Sequence, residues 1–298
     1  MFGFSWALTI AQHEAHAAPV PPSLVFDAPP RYAAQVDRMA RIAPARMTTL
    51  MELIGLREGG APIQVVLAPE DHGLARGVPR PISGYAVSDH DLAVLLPERV
   101  PGYPYDSLDE VLMHELTHLF AARATGGQRL PRWWNEGIAL HASRAWSFED
   151  RSRVLLGAVS GVTDATTLER AFERGDQQST AAYAISGALV HHLVKRHGPE
   201  LIAATLERVR EGDDFETAYA VAAGVPLARD VEAFWSRYLF WYRWLPFLTS
   251  GAALWASITA LAILAGLRRR RRDAEMRRRW EDEERAELAR AEAGEIVN

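Results

Sequence analysis

"VLMHELTHLF", residues Val111 to Phe120, places two histidines four positions apart with a glutamate directly after the first. On an α-helix, positions i and i+4 differ by about 40° in azimuth, so His114 and His118 project from one face, a turn apart. They can share a single ion at about 2.0–2.1 Å per ring nitrogen. Glu115 is turned about 100° from His114, too far to ligate but close enough to reach a water on that ion. A helix is expected here on independent grounds. Ser107 with Glu110 three residues on forms a capping box, and Leu112, Leu116, Leu119 and Phe120 supply an apolar face. Burying two imidazoles and a carboxylate beside that face costs free energy unless a partner such as a divalent ion compensates them.

Two side chains make a poor metal site, so a third ligand is needed. The chain has no cysteine, which restricts ligation to nitrogen and oxygen. "PRWWNEGIALHAS", Pro131 to Ser143, reads as the next helix, with Glu136 eighteen positions after His118. The short connection "AARATGGQRLP" turns that helix back against the first, and Trp133, Trp134 and Ile138 argue that Glu136 does not face solvent. His114, His118 and Glu136 then make the two-histidine, one-glutamate set of a catalytic zinc site, for one Zn2+ ion, with the fourth position left to water. His141, His191 and His192 read as ordinary surface or hydrogen-bonded histidines. His191 and His192, being adjacent, point about 100° apart on a helix.

Around this centre the pattern is α+β. "PSLVFDAPP", "APIQVVLAP" and "ISGYAVSDHDLAVLLP" read as strands, the last a hairpin turning at Ser88 to Asp91. From Arg31, apolar residues Val36, Met39, Ala43, Met47, Leu50 and Ile54 mark one helical face, with a kink expected at Pro44. Beyond "PGYPYD" the periodicity is helical over 107–123, 133–143, 181–197, 199–211 and 227–238. At 298 residues, 48% hydrophobic and 24% charged, the chain has the composition of a folded protein, and a formal charge of −5 gives no support to nucleic-acid binding.

The termini carry further expectations. Residues 1–20 contain a short apolar run and an Ala-x-Ala sequence, as in a signal peptide, though without a basic start. Residues 244–267 carry no charge, enough to span a bilayer as a transmembrane helix. Aromatic residues gather at its start, and arginines fill 268–272 and 277–279 after it. The positive-inside rule then places residues 22–243 on the outer side of the cell membrane and the charged tail, 268–298, in the cytoplasm.

"HELTH" followed by "WWNEGIA" resembles the gluzincin metallopeptidases, in particular the peptidase MA-like group related to the aminopeptidase N family. The resemblance covers roughly Ser23 to Tyr238 and implies a zincin-like catalytic domain over 22–243, a small sheet followed by a helical half. It implies Glu115 as general base and, through "YAISGALVHHLVKRHG", Tyr183 as the group that stabilises the oxyanion. Three departures stand out. The spacing from His118 to Glu136 is one residue shorter than usual. The G-x-M-E-N motif that anchors a substrate's free amine is missing, and Leu140 stands where thermolysin-like enzymes carry an acid. The expectation is therefore a membrane-anchored zinc peptidase acting on a peptide or protein substrate, with endopeptidase favoured over aminopeptidase action. The alternative is a membrane-tethered peptide-binding module that keeps the fold without turnover. Oligomeric state leaves no trace in the sequence.

Overall fold

Three parallel strands and one antiparallel edge strand organise the N-terminal half of the protein. The computed structural model describes residues 18–80, 82–102, 104–144, 154, 164–172, 176–236 and 251–295. The sheet has the order β1-β2-β4-β3, with β1 (Leu24–Asp27), β2 (Ile63–Leu67) and β4 (Leu92–Leu95) parallel. Strand β3 (Gly84–Val87) runs antiparallel to β4 in the register Gly84 to Leu95 and Val87 to Leu92. The β3–β4 connection is a short 3-10 turn, Ser88–His90, closed by Asp91 in the left-handed region at φ 47°.

Helix α1 (Ala33–Ile54) follows β1 and buries Met39, Ala43, Met47, Leu50, Met51 and Ile54. It continues through Pro44 and stops at Gly55, whose φ of 84° suits a residue without Cβ. A Cβ at Gly55 would also come 2.8 Å from Ala203 Cβ on a later helix. Helix α2 (Leu108–Ala124) is buried on nearly every side: it packs against β3 and β4, α1 and α3 (Arg132–Ser143). Its own sequence explains this, since leucine, methionine, valine and phenylalanine occur on all faces between Leu108 and Phe120. Arg123, near its end, donates to the Gly59 and Ala61 carbonyls and pairs with Asp91 at 2.7 Å, tying α2 to the loops that lead into β2 and β4.

Helix α3 rests on α5 (Asp176–His197) at Gly137, where a Cβ would fall 2.4 Å from Val190 Cγ2 and 2.7 Å from the Ser186 carbonyl oxygen. Two helices escaped the periodicity reading: α4 (Ala165–Ala171), capped by Asp164 and Thr167, and α7 (Phe215–Ala223), capped by Asp214. Helix α6 (Glu200–Arg210) lies between α5 and α7 in sequence and packs on α1. The buried carboxylate of Asp230, in the helical residues 227–236, joins Arg196 at 3.0 Å, His197 at 2.7 Å and the Tyr219 hydroxyl at 2.6 Å. The α+β class therefore stands.

The membrane part of the expectation does not. The chain separates into two compact units, Met1–Arg237 and Tyr238–Asn298. In the second, residues 244–250 of the expected span lie outside the described residues, and α8 (Gly251–Glu295) runs without interruption into the arginine-rich tail. Among the described residues no helix is long and apolar enough to cross a membrane. The transmembrane helix over 244–267, its contact with a bilayer and the single-pass cell-membrane location are thereby withdrawn. Residues 1–17 of the expected signal peptide also lie outside the described residues. Val20, at its end, already belongs to the fold: its N–H donates to the Arg57 carbonyl at 3.0 Å and its carbonyl accepts from Gly59 at 2.9 Å.

Candidate metal centre

Ser107 caps α2 by accepting from the Glu110 N–H at 3.3 Å. The Glu110 carboxylate reaches back to the Asp106 N–H at 2.8 Å, one residue beyond the position a capping box requires. From this start, His114 and His118 present their rings to Glu136 of α3, while Glu115 Oε1 lies against Gly84 of β3. His114 Nε2 lies 3.1 Å from His118 Nε2 and 3.2 Å from Glu136 Oε2, and His118 Nε2 lies 3.6 Å from the same carboxylate oxygen. His114, His118 and Glu136 are largely buried, with side-chain exposures of 4%, 15% and 13%.

These three atoms form a triangle that fits an ion. Four ligands placed tetrahedrally at 2.0–2.1 Å have ligand–ligand edges of roughly 3.3–3.4 Å, and the observed edges bracket that value. The donor set of two imidazole nitrogens and one carboxylate oxygen is also the chemistry zinc accepts. Both Nδ1 atoms are buried without a hydrogen-bond partner, as is the Asn135 Oδ1. The Asn135 amide stands beside the His118 ring and, after the larger effects of Glu136 and Glu115, favours its protonated form.

Electrostatics in the metal-free cluster follow from burial and close packing. Burial pushes the Glu115 carboxyl up to about 8, against the charge of His118 and with that of Glu136. Burial pulls His114 down to about 4, although the hydrogen bond its ring donates to Glu136 opposes it. For His118 burial acts downward too, but the hydrogen bond and charge of Glu136, with the charge of Glu115, win and raise it to about 9. Burial would raise Glu136, yet the two histidines hold it far below the usual carboxylate range.

The cluster opens into a cleft of about 810 Å³, walled on one side by β3 and on the other by α3, the loop before it and the start of α5. Tyr183, from α5, lines this cleft and makes an edge contact with Phe172 at 5.2 Å. Burial, then the charge of Glu136, raises its hydroxyl to about 12. Tyr105 lines it as well, with its ring edge-on to His114 at 5.1 Å. Burial and the charges of Glu115 and Glu136 push its hydroxyl well above the ordinary range. His141 and His191 pair with each other, rings 5.5 Å apart, and neither borders the cleft.

Sequence reading missed several groups that shape this centre. Pro131 offers no cap to α3, and Glu169 of α4 does so from a distance, accepting from the N–H groups of Arg132 at 2.9 Å and Trp133 at 3.2 Å. Tyr105 stood in a segment read only as a linker. Gly84 touches the site through its lack of a side chain, which periodicity does not register.

Residues 106–240 match the sequence model of the Peptidase MA superfamily, which supports a peptidase MA-like domain over this part of the chain. Comparison with the curated proteins gives no match.

Proposed function

We propose that the protein is a zinc-dependent peptidase in which His114, His118 and Glu136 hold one Zn2+ ion and Glu115 is the general base. The reading rests on one observation: three ligand atoms set 3.1–3.6 Å apart at the floor of an open cleft, with a fourth, non-ligating carboxylate beside them. A bound zinc ion would supply a water whose pKa falls to about 7, ready to ionise at neutral pH. Glu115 would serve as the base beside that ion, accepting a proton from an attacking water and returning it to the leaving amine. Its apolar setting on α2 suits a base that must take up a proton, because the charged carboxylate gains little from solvent there. Tyr183 would donate a hydrogen bond to the oxygen that gains negative charge as the carbonyl is attacked, and a hydroxyl raised to about 12 keeps its proton for this role.

The free edge of β3 borders the cleft and offers backbone groups to an extended peptide, which would lie as an added strand. No G-x-M-E-N anchor for a free amine stands on that strand, which reads Gly84-Tyr85-Ala86-Val87, and this favours endopeptidase over aminopeptidase action.

Glu115→Gln in the full chain is the test. Zinc content should persist while chelator-sensitive hydrolysis of a mixed peptide library disappears. Unchanged hydrolysis would remove Glu115 from the mechanism. A wild-type protein that binds library peptides but never cleaves them would favour a binding module on the same fold.

A further inference from the structure

The cleft holds a cation that the proposed chemistry does not use. Arg132 opens α3 one turn before Glu136, and its side chain is 50% exposed and lines the cleft. One face of its guanidinium is covered by the Phe172 ring, 4.7 Å to the centroid. Its nearest carboxylate is Glu136, where Nε and Oε1 are 3.9 Å apart, at the limit of an ion pair. That oxygen's partner, Oε2, is the atom facing the two histidines. Glu169, the other acid close by, spends its carboxylate on the backbone N–H groups of Arg132 and Trp133. Among the described residues, then, no carboxylate is matched to this guanidinium in the two-pronged manner that arginine favours.

The location is as informative as the charge. Arg132 adjoins both Glu136 and the Tyr183 hydroxyl, whose ionisation it favours. A guanidinium there lies within one residue's reach of a scissile carbonyl placed at the cluster. One residue of extended chain covers about 3.3–3.6 Å, and a terminal or side-chain carboxylate one residue away falls roughly 4–7 Å from that carbonyl. Stacking on Phe172 holds the guanidinium beside the Tyr183 hydroxyl, to which it donates a hydrogen bond, and leaves its remaining N–H groups for a partner. Arg129 lines the same wall and adds a second positive charge, and Asp89 stands by β3 on the other.

We infer that the cleft selects peptides carrying a carboxylate within one residue of the bond to be cut, read by Arg132 stacked on Phe172; the inference rests on the peptidase reading above. The carboxylate belongs either to an Asp or Glu side chain or to a free C-terminus. The chemistry is shared, and the experiment separates the two sources.

Binding is measured by calorimetry on the full-length, zinc-loaded Glu115→Gln protein, so that affinity is read without turnover. The probes are acetyl-Ala-Ala-Ala-amide, acetyl-Ala-Gln-Ala-amide, acetyl-Ala-Glu-Ala-amide and acetyl-Ala-Ala-Ala with a free carboxylate. At least one of the two carboxylate peptides should bind about 10-fold or more tightly than its uncharged partner, and which one does so identifies the source. Adding Arg132→Gln should reduce that ratio to about threefold or less, and Arg132→Lys should leave it intermediate because a point charge lacks the fork. Phe172→Leu, which keeps Arg132 but removes its platform, should reduce the ratio too. Equal affinities for charged and uncharged peptides would overturn the inference, as would a preference that survives Arg132→Gln. Failure of the peptidase reading has a separate signature: the wild-type protein would then cleave none of these or any library peptide, whatever the binding ratios.

Discussion

Gly84 and Glu115 meet across the junction of the edge strand and the metal helix: a Cβ at Gly84 would lie 3.1 Å from Glu115 Oε1 and 2.6 Å from Val111 Cγ1. The absence of a side chain at this one position lets the wall of the cleft close onto the Glu115 carboxylate, the proposed base. Gly84→Ala must therefore push β3 away from α2 or displace Glu115. Displacement of a reacting group by about 1 Å can cost up to ~100-fold in rate, and overpacking typically costs 1–3 kcal/mol. The expected result is a fall in kcat/KM of at least about tenfold with zinc content retained, read by peptide hydrolysis and metal analysis on one preparation.

Loading the ion should release protons. In the metal-free protein His118 is raised to about 9, where Glu136 and Glu115 overcome the effect of burial, so its ring is protonated at pH 7.5. That proton must leave before the ring can bind an ion. About one proton per zinc from His118 is expected in weak buffer, followed with a pH indicator, and Glu115, raised to about 8 by burial, adds a further fraction. The same values fix a stability trend. A group whose folded value lies above its unfolded one contributes stability that is full below the unfolded value and is lost as pH rises through the folded value. For His118 the window runs from 6.5 to about 9, and Glu115 has the same sign up to about 8. Metal-free protein should thus melt at falling temperature from pH 6.5 to 9, and a flat or rising profile would contradict the assignment.

Asn135→Ala tests what orients His118. Its Oδ1 and the His118 Nδ1 are both buried without a partner, and the amide stands beside that ring. Loss of an orienting group typically weakens metal binding 10–100-fold. Competition with a chromogenic chelator should show a zinc Kd raised within that range, with the melting temperature of the metal-free protein little changed.

Glu169→Ala removes the cap that α4 places on α3. Losing an N-terminal cap costs about 1 kcal/mol, and here the same helix presents Glu136 four residues further on. Thermal unfolding should register the loss, and zinc affinity should drop by a few-fold because Glu136 is held less firmly. Glu169→Gln, which still accepts the hydrogen bonds, should recover most of both.

The legible parts of this protein are those in which chemistry is written at helical spacing. His114, Glu115 and His118 lie within one turn of one helix, so their relative positions follow from the backbone alone. Glu136 was accessible because tryptophans flank it and a short loop turns α3 back. Groups that act across distant stretches left no local trace. Glu169 caps a helix 37 positions away, and Arg132 gains its setting from Phe172 on another element. Helix α4 is too short for its apolar residues to show a period. The uncharged run 244–267 was read as a span from composition alone, and among the described residues no helix is long and apolar enough to cross a membrane.

Because the third ligand comes from α3 and the other two from α2, an ion gripped by all three would be a reversible crosslink across the loop joining these helices. Closing a loop of this length restrains the less ordered states of the chain in the way a covalent bridge does. Chelation should then do more than stop hydrolysis. It should leave α3 easier to detach, so that the stripped protein is itself nicked faster by an added protease than the loaded one.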